Sequence, residues 1–328
     1  MPMPSALAAA GLHVLCAASR YPKNDSGLIM EKVALDMAAW IRDARENEGY
    51  EKVVLVGWSG GGSLSLFYGA QAESPTVAQT PAGDPVDLKA AHLPRPDGII
   101  FIAAHLSRAE TLTEWLDPSV LDERNPDKRD RELDIYAEDC PYKPPFSAEF
   151  VSRFREAQRA RNARITGWCL ETLSELGKRG GAERERAFVV QRTMCDVRWI
   201  DAAVDPNGRR PNWCYLGDPR TVNVAPVGLA RYSSLRSWLS QWSFTHSNAK
   251  GSVNAGRIKA TPVLQIENMA DDAVPASHNP LISENLATRD KEYVRIAGAT
   301  HYYVNQPEQL RQCIDTILDW SRRHGVTA

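Results

Sequence analysis

Residues 51–73 read EKVVLVGWSGGGSLSLFYGAQAE. Val53 to Gly57 are aliphatic and β-branched enough for a buried parallel strand. From Gly62 onward, Leu64, Phe67 and Tyr68 fall on one face of a helix. Between the two, Gly57-Trp58-Ser59-Gly60-Gly61 fits the pattern G-x-S-x-G. A strand that enters a helix through such a turn forces the serine into a strained backbone conformation and lifts its hydroxyl above the sheet. Glycine two residues to either side removes the β-carbons that would clash as strand and helix close on each other. The competing reading is a glycine-rich turn gripping a phosphate at the helix N-terminus. The stretch lacks the Lys-Ser/Thr of a P-loop and the spacing of G-x-G-x-x-G. Strand before, helix after and serine at the centre favour a nucleophile, provided the rest of the chain supplies its partners.

A chain of 328 residues can form one large domain or two of ordinary size. With 43% hydrophobic and 24% charged residues it reads as a soluble globular protein with a substantial core. A net charge of −2 gives no electrostatic case for nucleic acid or an anionic membrane as partner. No apolar run approaches the length of a membrane span. The start, MPMPSALAAAGLHVLCAAS, superficially resembles a secretory leader, but it lacks a basic segment and His13 interrupts its apolar stretch. Cys16, Cys140, Cys169, Cys195, Cys214 and Cys313 are scattered without C-x-x-C pairs. That pattern points to reduced thiols in a cytoplasmic protein, without a zinc site or a disulfide framework.

Along the chain, GLHVLCA (11–17) reads as a strand. IMEKVALDMAAWIRDAREN (29–47) reads as an amphipathic helix with Ile29, Val33, Leu35, Met37 and Ile41 near one face. After the serine turn and its helix, a polar, Pro-rich loop leads to a buried strand at 97–105, DGIIFIAAH. This alternation argues for an α/β fold with a mostly parallel sheet covered on both faces. From about 106 to 258 the rhythm stops: the chain is charged, aromatic and irregular, with a long helix from about Ser147 to Leu176. Alternation returns with TPVLQIEN (261–268), a helix, KEYVRIAG (291–298) and a final helix from about Pro307 to His324. The simplest organisation is a core of 1–105 and 259–328 with a mainly helical cap, 106–258, inserted between its strands.

A serine hydroxyl needs a base to take its proton and a third group to orient that base. Asp271 and Asp272 follow the strand at 262–267, and His301 follows the strand at 292–296. The order Ser59, Asp271, His301, the serine elbow, the D-x-x-V-P acid loop and the I-x-G-A-x-H histidine loop together resemble the α/β-hydrolase superfamily. The resemblance covers roughly residues 8–105 and 259–324. It implies Ser59 as nucleophile, His301 as general base and then acid, and Asp271 as orienting carboxylate. The D-x-x-V-P spacing favours Asp271 over its neighbour Asp272, which then serves as a loop residue or a helix cap. His13, His92, His105, His246, His278 and His324 show no metal-ligand spacing, and neither a metal nor a cofactor is expected.

The resemblance also implies an oxyanion site in which Gly60 supplies one backbone donor. The second donor normally comes from a His-Gly loop after the third strand, which has no counterpart here. LAAAGLHVLCAASRY looks like the end of the family's first helix and its fourth strand, preceded only by MPMPSA. Either the chain is a truncated form of a longer product, which is the favoured expectation, or 11–17 pairs directly beside 52–57. In the inserted segment, Leu235, Trp238, Leu239 and Trp242 share one helix face, a stripe that is more often core than pocket. Trp58, His105, Trp238 and Trp242 are candidates to line a substrate pocket. The five arginines of RFREAQRARNAR (153–164) read as a solvated helix face. DPNGRR (205–210) and WCYLGDPR (213–220) read as turn-rich loops without assignable chemistry.

The function expected is a serine hydrolase acting on a small-molecule carboxylic ester, with amide and thioester as lesser options. An acyltransferase on the same triad is the nearest rival, and a non-catalytic binding protein of the same fold is the rival from another class.

Overall fold

The apolar run before the serine forms β1 (Val54–Trp58), one residue later than its pattern begins. The computed structural model describes residues 3–327, so residues 1, 2 and 328 of the expected core lie outside it. The other strands are β2 (Gly98–Ile102), β3 (Ala187–Val189), β4 (Tyr232–Ser234), β5 (Val263–Asn268) and β6 (Lys291–Ile296). Four of them make one sheet in the order β1-β2-β5-β6, and every pair in it is parallel. Parallel neighbours require crossovers. Helix Gly60–Glu73 lies between β1 and β2, and helix His278–Asn285 between β5 and β6. The sequence runs GIIFI and VLQIEN are buried along their whole length, as the central strands of a sheet covered on both faces must be.

The two faces follow the period of two along each strand. Ile100, Ile102, Leu264 and Ile266 pack with Met3 and Leu7 of the first helix, Met3–Ala9, and with Ile314, Ile317 and Trp320 of the last, Pro307–Arg323. Ile99, Phe101 and Val263 face the other way, against Leu66 and Ala70 of the serine helix and Ile258 and Ile282. Each such side chain removed from water contributes roughly 1.5–3 kcal/mol, so the central strands are anchored on both faces.

Residues 11–17 do not form the expected strand. The segment has no regular secondary structure, and Leu12 and Val14 pack against the same cluster as Val54 and Trp58. It takes no place in the sheet, so it does not pair with 52–57, and β1 is an edge strand. Val56 is correspondingly 45% exposed. Its apolar side chains pack, but side chains alone do not make a ladder. The helix expected at 29–47 spans Met30–Glu46. Its buried stripe is Met30, Val33, Ala34, Ala38 and Ile41, with Leu35 and Met37 only half-buried beside it. The serine helix begins at Gly60, two residues before the apolar spacing starts, and Leu66, Phe67, Tyr68 and Ala70 are all buried, so it is covered on more than the one face its spacing suggests.

Between β2 and β5 the chain builds the 32-residue helix Ala148–Arg179, capped by Ser147, whose hydroxyl accepts from Phe150 N–H. It also builds the antiparallel ribbon β3–β4 and a π-helical turn, Trp238–Trp242. Leu235, Trp238, Leu239 and Trp242 are fully buried against Ile165, Cys169 and Leu176 of the long helix. The arginine-rich face is only partly solvated. Arg153, Arg159 and Arg164 point outward, but Arg161 is 1% exposed and donates to the carbonyls of Asp117, Gln191 and Arg192 and to Glu123. Arg155 pairs with Asp196 at 2.8 Å. The charge-assisted bonds to these carbonyls and carboxylates offset the cost of taking the guanidinium out of water.

Candidate active site

Four residues stand just past the C-terminal ends of successive strands of the main sheet: Ser59 after β1, His105 after β2, Asp271 after β5 and His301 after β6. The edge formed by these strand ends is where open α/β sheets bind ligands.

Ser59 has φ +51° and ψ −117°, a conformation that costs a non-glycine residue on the order of 1–3 kcal/mol and marks a constrained turn. Its N–H donates to Ile102 O at 3.0 Å, which ties the turn to β2. The glycines around it are not equivalent. A β-carbon on Gly57 would lie 2.6 Å from Gly61 O, and one on Gly62 would lie 2.2 Å from the β-carbon of Ala104, whereas Gly61 has open space. The steric need therefore sits at the second residue before the serine and the third after it. Gly62→Ala should destabilise the fold by about 1–3 kcal/mol through overpacking. Gly61→Ala, in an open helical position, should be neutral or stabilising by up to about 1 kcal/mol. Thermal melting of the two variants distinguishes them.

His301 is 2% exposed and Asp271 3%. Nδ1 of the imidazole lies 2.9 Å from Asp271 Oδ2 and 3.1 Å from Oδ1. Asp271 Oδ1 also accepts from the main-chain N–H of Ala273 at 2.7 Å and of Val274 at 2.8 Å. Those two bonds fix the carboxylate and leave its other oxygen for the histidine. Burial disfavours the imidazolium, but the charge and hydrogen bond of Asp271, with the charge of Asp272, outweigh it and hold His301 above its ordinary pKa. Asp272 has no hydrogen bond to the histidine. Burial, and then the charge of Asp271, push its carboxyl up to about 6. Ser59 and His301 are not hydrogen-bonded to each other in this structure, and such bonds commonly tighten only when substrate is in place.

His105 is buried, and its Nε2 lies 3.4 Å from where a β-carbon on Gly60 would sit. Arg108 reaches the same point, with Nε at 3.5 Å. Its guanidinium stacks over Trp242 at 5.3 Å, bonds to Gln241, and lies 3.6 Å from Asp25. His278 Nδ1 accepts from Leu106 N–H at 3.2 Å, and its Nε2 lies 3.6 Å from Glu114. Of the sequence candidates for a pocket, Trp58 stacks on Tyr302 and meets the His301 ring edge-on at 6.3 Å between centroids. Trp242 reaches the site through Arg108. Trp238 does not line it: the side chain is fully buried in the inserted segment, with Nε1 donating to Thr166.

The loops that carried no assignable chemistry in the sequence hold the acid loop. Asn207 Nδ2 donates to Asp271 O at 2.9 Å, Gly208 N–H to Met269 O at 2.8 Å, and Tyr215 N–H to Asp272 O at 3.3 Å. Trp199 Nε1 donates to Asp272 O as well. The Tyr215 ring lies 5.9 Å from that of His301. Tyr215, Tyr302 and Arg108 were not singled out from sequence, since nothing in their local spacing distinguishes them from packing or surface residues.

No family model matches the sequence, and no curated protein does. Solved structures of similar shape include a monoacylglycerol lipase from Paleococcus ferrophilus, 15% identical over 92% of this chain and 78% of that one, with TM-score 0.41. A complex of DcsB with its substrate analogue is 13% identical over 92% and 76%, with TM-score 0.47. A soluble variant of monoglyceride lipase from Saccharomyces cerevisiae, bound to a substrate analogue, is 12% identical over 89% and 69%, with TM-score 0.42. At such identities and scores the neighbours say nothing of activity, and the fold rests on the chain's own geometry. A parallel sheet packed with helices, a strained serine between strand and helix, and an aspartate–histidine pair on loops after later strands give this chain an α/β fold with those three residues at one sheet edge.

Proposed function

We propose that the protein is a serine hydrolase that cleaves a carboxylic ester through an acyl-enzyme. The observation that carries this reading is the strained Ser59 at the start of a helix, on the same sheet edge as the Asp271–His301 pair. His301 takes the Ser59 proton on Nε2 as Oγ bonds to the carbonyl carbon. The carbonyl oxygen becomes an oxyanion, and collapse of that intermediate expels the alcohol, which takes the proton from His301. Water then repeats the sequence and releases the acid. Asp271 holds the tautomer and stabilises the imidazolium that forms. Gly60 opens the serine helix, so its N–H is among the donors without an intrahelical partner and is available to the oxyanion. The inserted segment, 106–258, acts as a cap whose loops brace the acid. No helix among the described residues is long and apolar enough to cross a membrane, and a cytoplasmic protein acting on a small-molecule ester is the setting this reading favours.

The test is labelling with a fluorophosphonate, followed by turnover on p-nitrophenyl esters of increasing acyl length. A label on Ser59 that blocks turnover supports the proposal; a label elsewhere with turnover intact sinks it. The pH profile is a second check. Only the neutral imidazole accepts the serine proton, so kcat/KM should fall as pH drops through the His301 pKa, which lies above the ordinary 6.5. Asp271→Asn removes the charge that raises that pKa, so the midpoint of its residual activity should move to lower pH.

A further inference from the structure

An acyl-transfer site stabilises its tetrahedral oxyanion with at least two preorganised donors, and in the mechanism proposed above Gly60 N–H is one. We infer that the second donor is a side chain, the Nε2–H of His105. This assignment rests on the Ser59 reading and adds a catalytic residue to it.

Three observations carry it. The first is position. Nε2 of His105 lies 3.4 Å from the point a β-carbon of Gly60 would occupy. That point is about 2.5 Å from Gly60 N by standard covalent geometry, so the two nitrogens are at most about 6 Å apart. Two donors each about 2.9 Å from one oxygen can stand up to about 5.8 Å apart. That separation permits one oxyanion beside Gly60 N–H to meet both donors.

The second is an unfulfilled hydrogen-bonding group. His105 is 6% exposed, and its Nδ1 is buried with no hydrogen-bond partner among the described residues. A proton on Nδ1 would be an orphaned buried donor, which is rarer and costlier than an unfilled acceptor. The less costly tautomer puts the proton on Nε2, the nitrogen that faces Gly60. A buried imidazole that satisfies neither a neighbour nor a metal ligand set suits a partner that arrives with the substrate.

The third is the local charge. Burial first, then the positive charges of His278, Arg108 and His301, keep His105 far below its ordinary pKa. The imidazole is thus a neutral donor that does not compete with His301 for the serine proton. Arg108 Nε, 3.5 Å from the same Gly60 position, adds a cation on the oxyanion's side of the turn. Its own partners, Gln241, Asp25 and the face of Trp242, hold it in place. In the step itself, the Ser59 Oγ–carbon bond forms, the carbonyl π pair moves onto oxygen, and the serine proton passes to His301. His105 donates a hydrogen bond and transfers no proton.

The experiment uses p-nitrophenyl butyrate as substrate and a butyl trifluoromethyl ketone, whose adduct with Ser59 is a charged hemiketal, as transition-state probe. His105→Leu should lower kcat about 100- to 1000-fold, with KM within a few-fold of the parent and an unchanged melting temperature. Inhibition by the ketone should weaken in step with kcat/KM. His105→Gln, which can place an amide N–H near the Nε2 position, should recover most of the loss; His105→Asn, whose amide stops short, should not. If the leucine variant does not fold, the two amide variants carry the test, and equal kcat values for them overturn the assignment. Unimpaired kcat in His105→Leu, with Ser59→Ala inactive, also overturns it while leaving the nucleophile in place. Turnover retained by Ser59→Ala would instead overturn the underlying hydrolase reading.

Discussion

Ser59→Ala should lower kcat on a p-nitrophenyl ester by on the order of 10⁴- to 10⁶-fold, because it deletes the atom that bonds to the substrate in the proposed mechanism. The same variant should melt at or above the temperature of the parent. Ser59 makes no side-chain cap bond to its helix and sits at φ +51°, so the hydroxyl contributes nothing visible to the fold. Ser59→Gly sharpens the point. Glycine adopts this backbone conformation without the β-carbon penalty, so this variant should be equally inactive and more stable by about 1 kcal/mol. Calorimetric melting together with an esterase assay checks both halves. Comparable turnover in either variant would remove Ser59 from the mechanism, and a collapsed melting temperature would show that the serine is there for structure.

The second large effect separates two adjacent carboxylates. Asp271→Asn should lower kcat by about 10⁴-fold, since an amide favours the wrong imidazole tautomer and cannot balance the imidazolium. The asparagine carbonyl can still accept from Ala273 and Val274 N–H as Asp271 Oδ1 does, so the loop should keep its shape. Asp272→Asn should change kcat only a few-fold. It should also raise the melting temperature at pH 8. In the fold its carboxyl titrates at about 6, above the roughly 3.9 of an unfolded aspartate, so its ionised form is disfavoured by folding. The cost is present above the folded pKa and disappears as pH falls toward the unfolded one. Removing the charge removes the cost where it is largest. Equal kinetic losses for the two variants would reassign the acid.

Much of this was legible in the linear sequence because it depends on local chemistry. A run of aliphatics, a strained turn with small neighbours and a helix are decided within twenty residues. The parallel order follows from alternation, since a helix that returns the chain to the starting edge of the sheet brings the next strand in parallel. The preference for Asp271 over Asp272 also came from spacing, and the carboxylate that faces His301 is the one the spacing chose. The steric role of glycine was legible in kind but misplaced by one residue. Which β-carbon would collide depends on Ala104, which is distant in sequence and adjacent only after β1 and β2 pair.

Tertiary structure decided what depends on a partner far along the chain. Residues 11–17 have the composition of a strand but take no place in the sheet, because strand formation needs a backbone ladder as well as an apolar face. Arg161 belongs to an arginine-rich stretch that reads as solvated. It is buried because three carbonyls from other segments converge on it. DPNGRR and WCYLGDPR look like featureless turns until their amides are seen donating to the carbonyls of the acid loop. His105 shows the division most clearly. Its place at the end of a strand was visible in sequence, but its unpartnered Nδ1 and the approach of Nε2 to Gly60 exist only in the fold. Sequence fixes which groups a residue can offer; the packing of distant segments fixes whether a partner is there to take them.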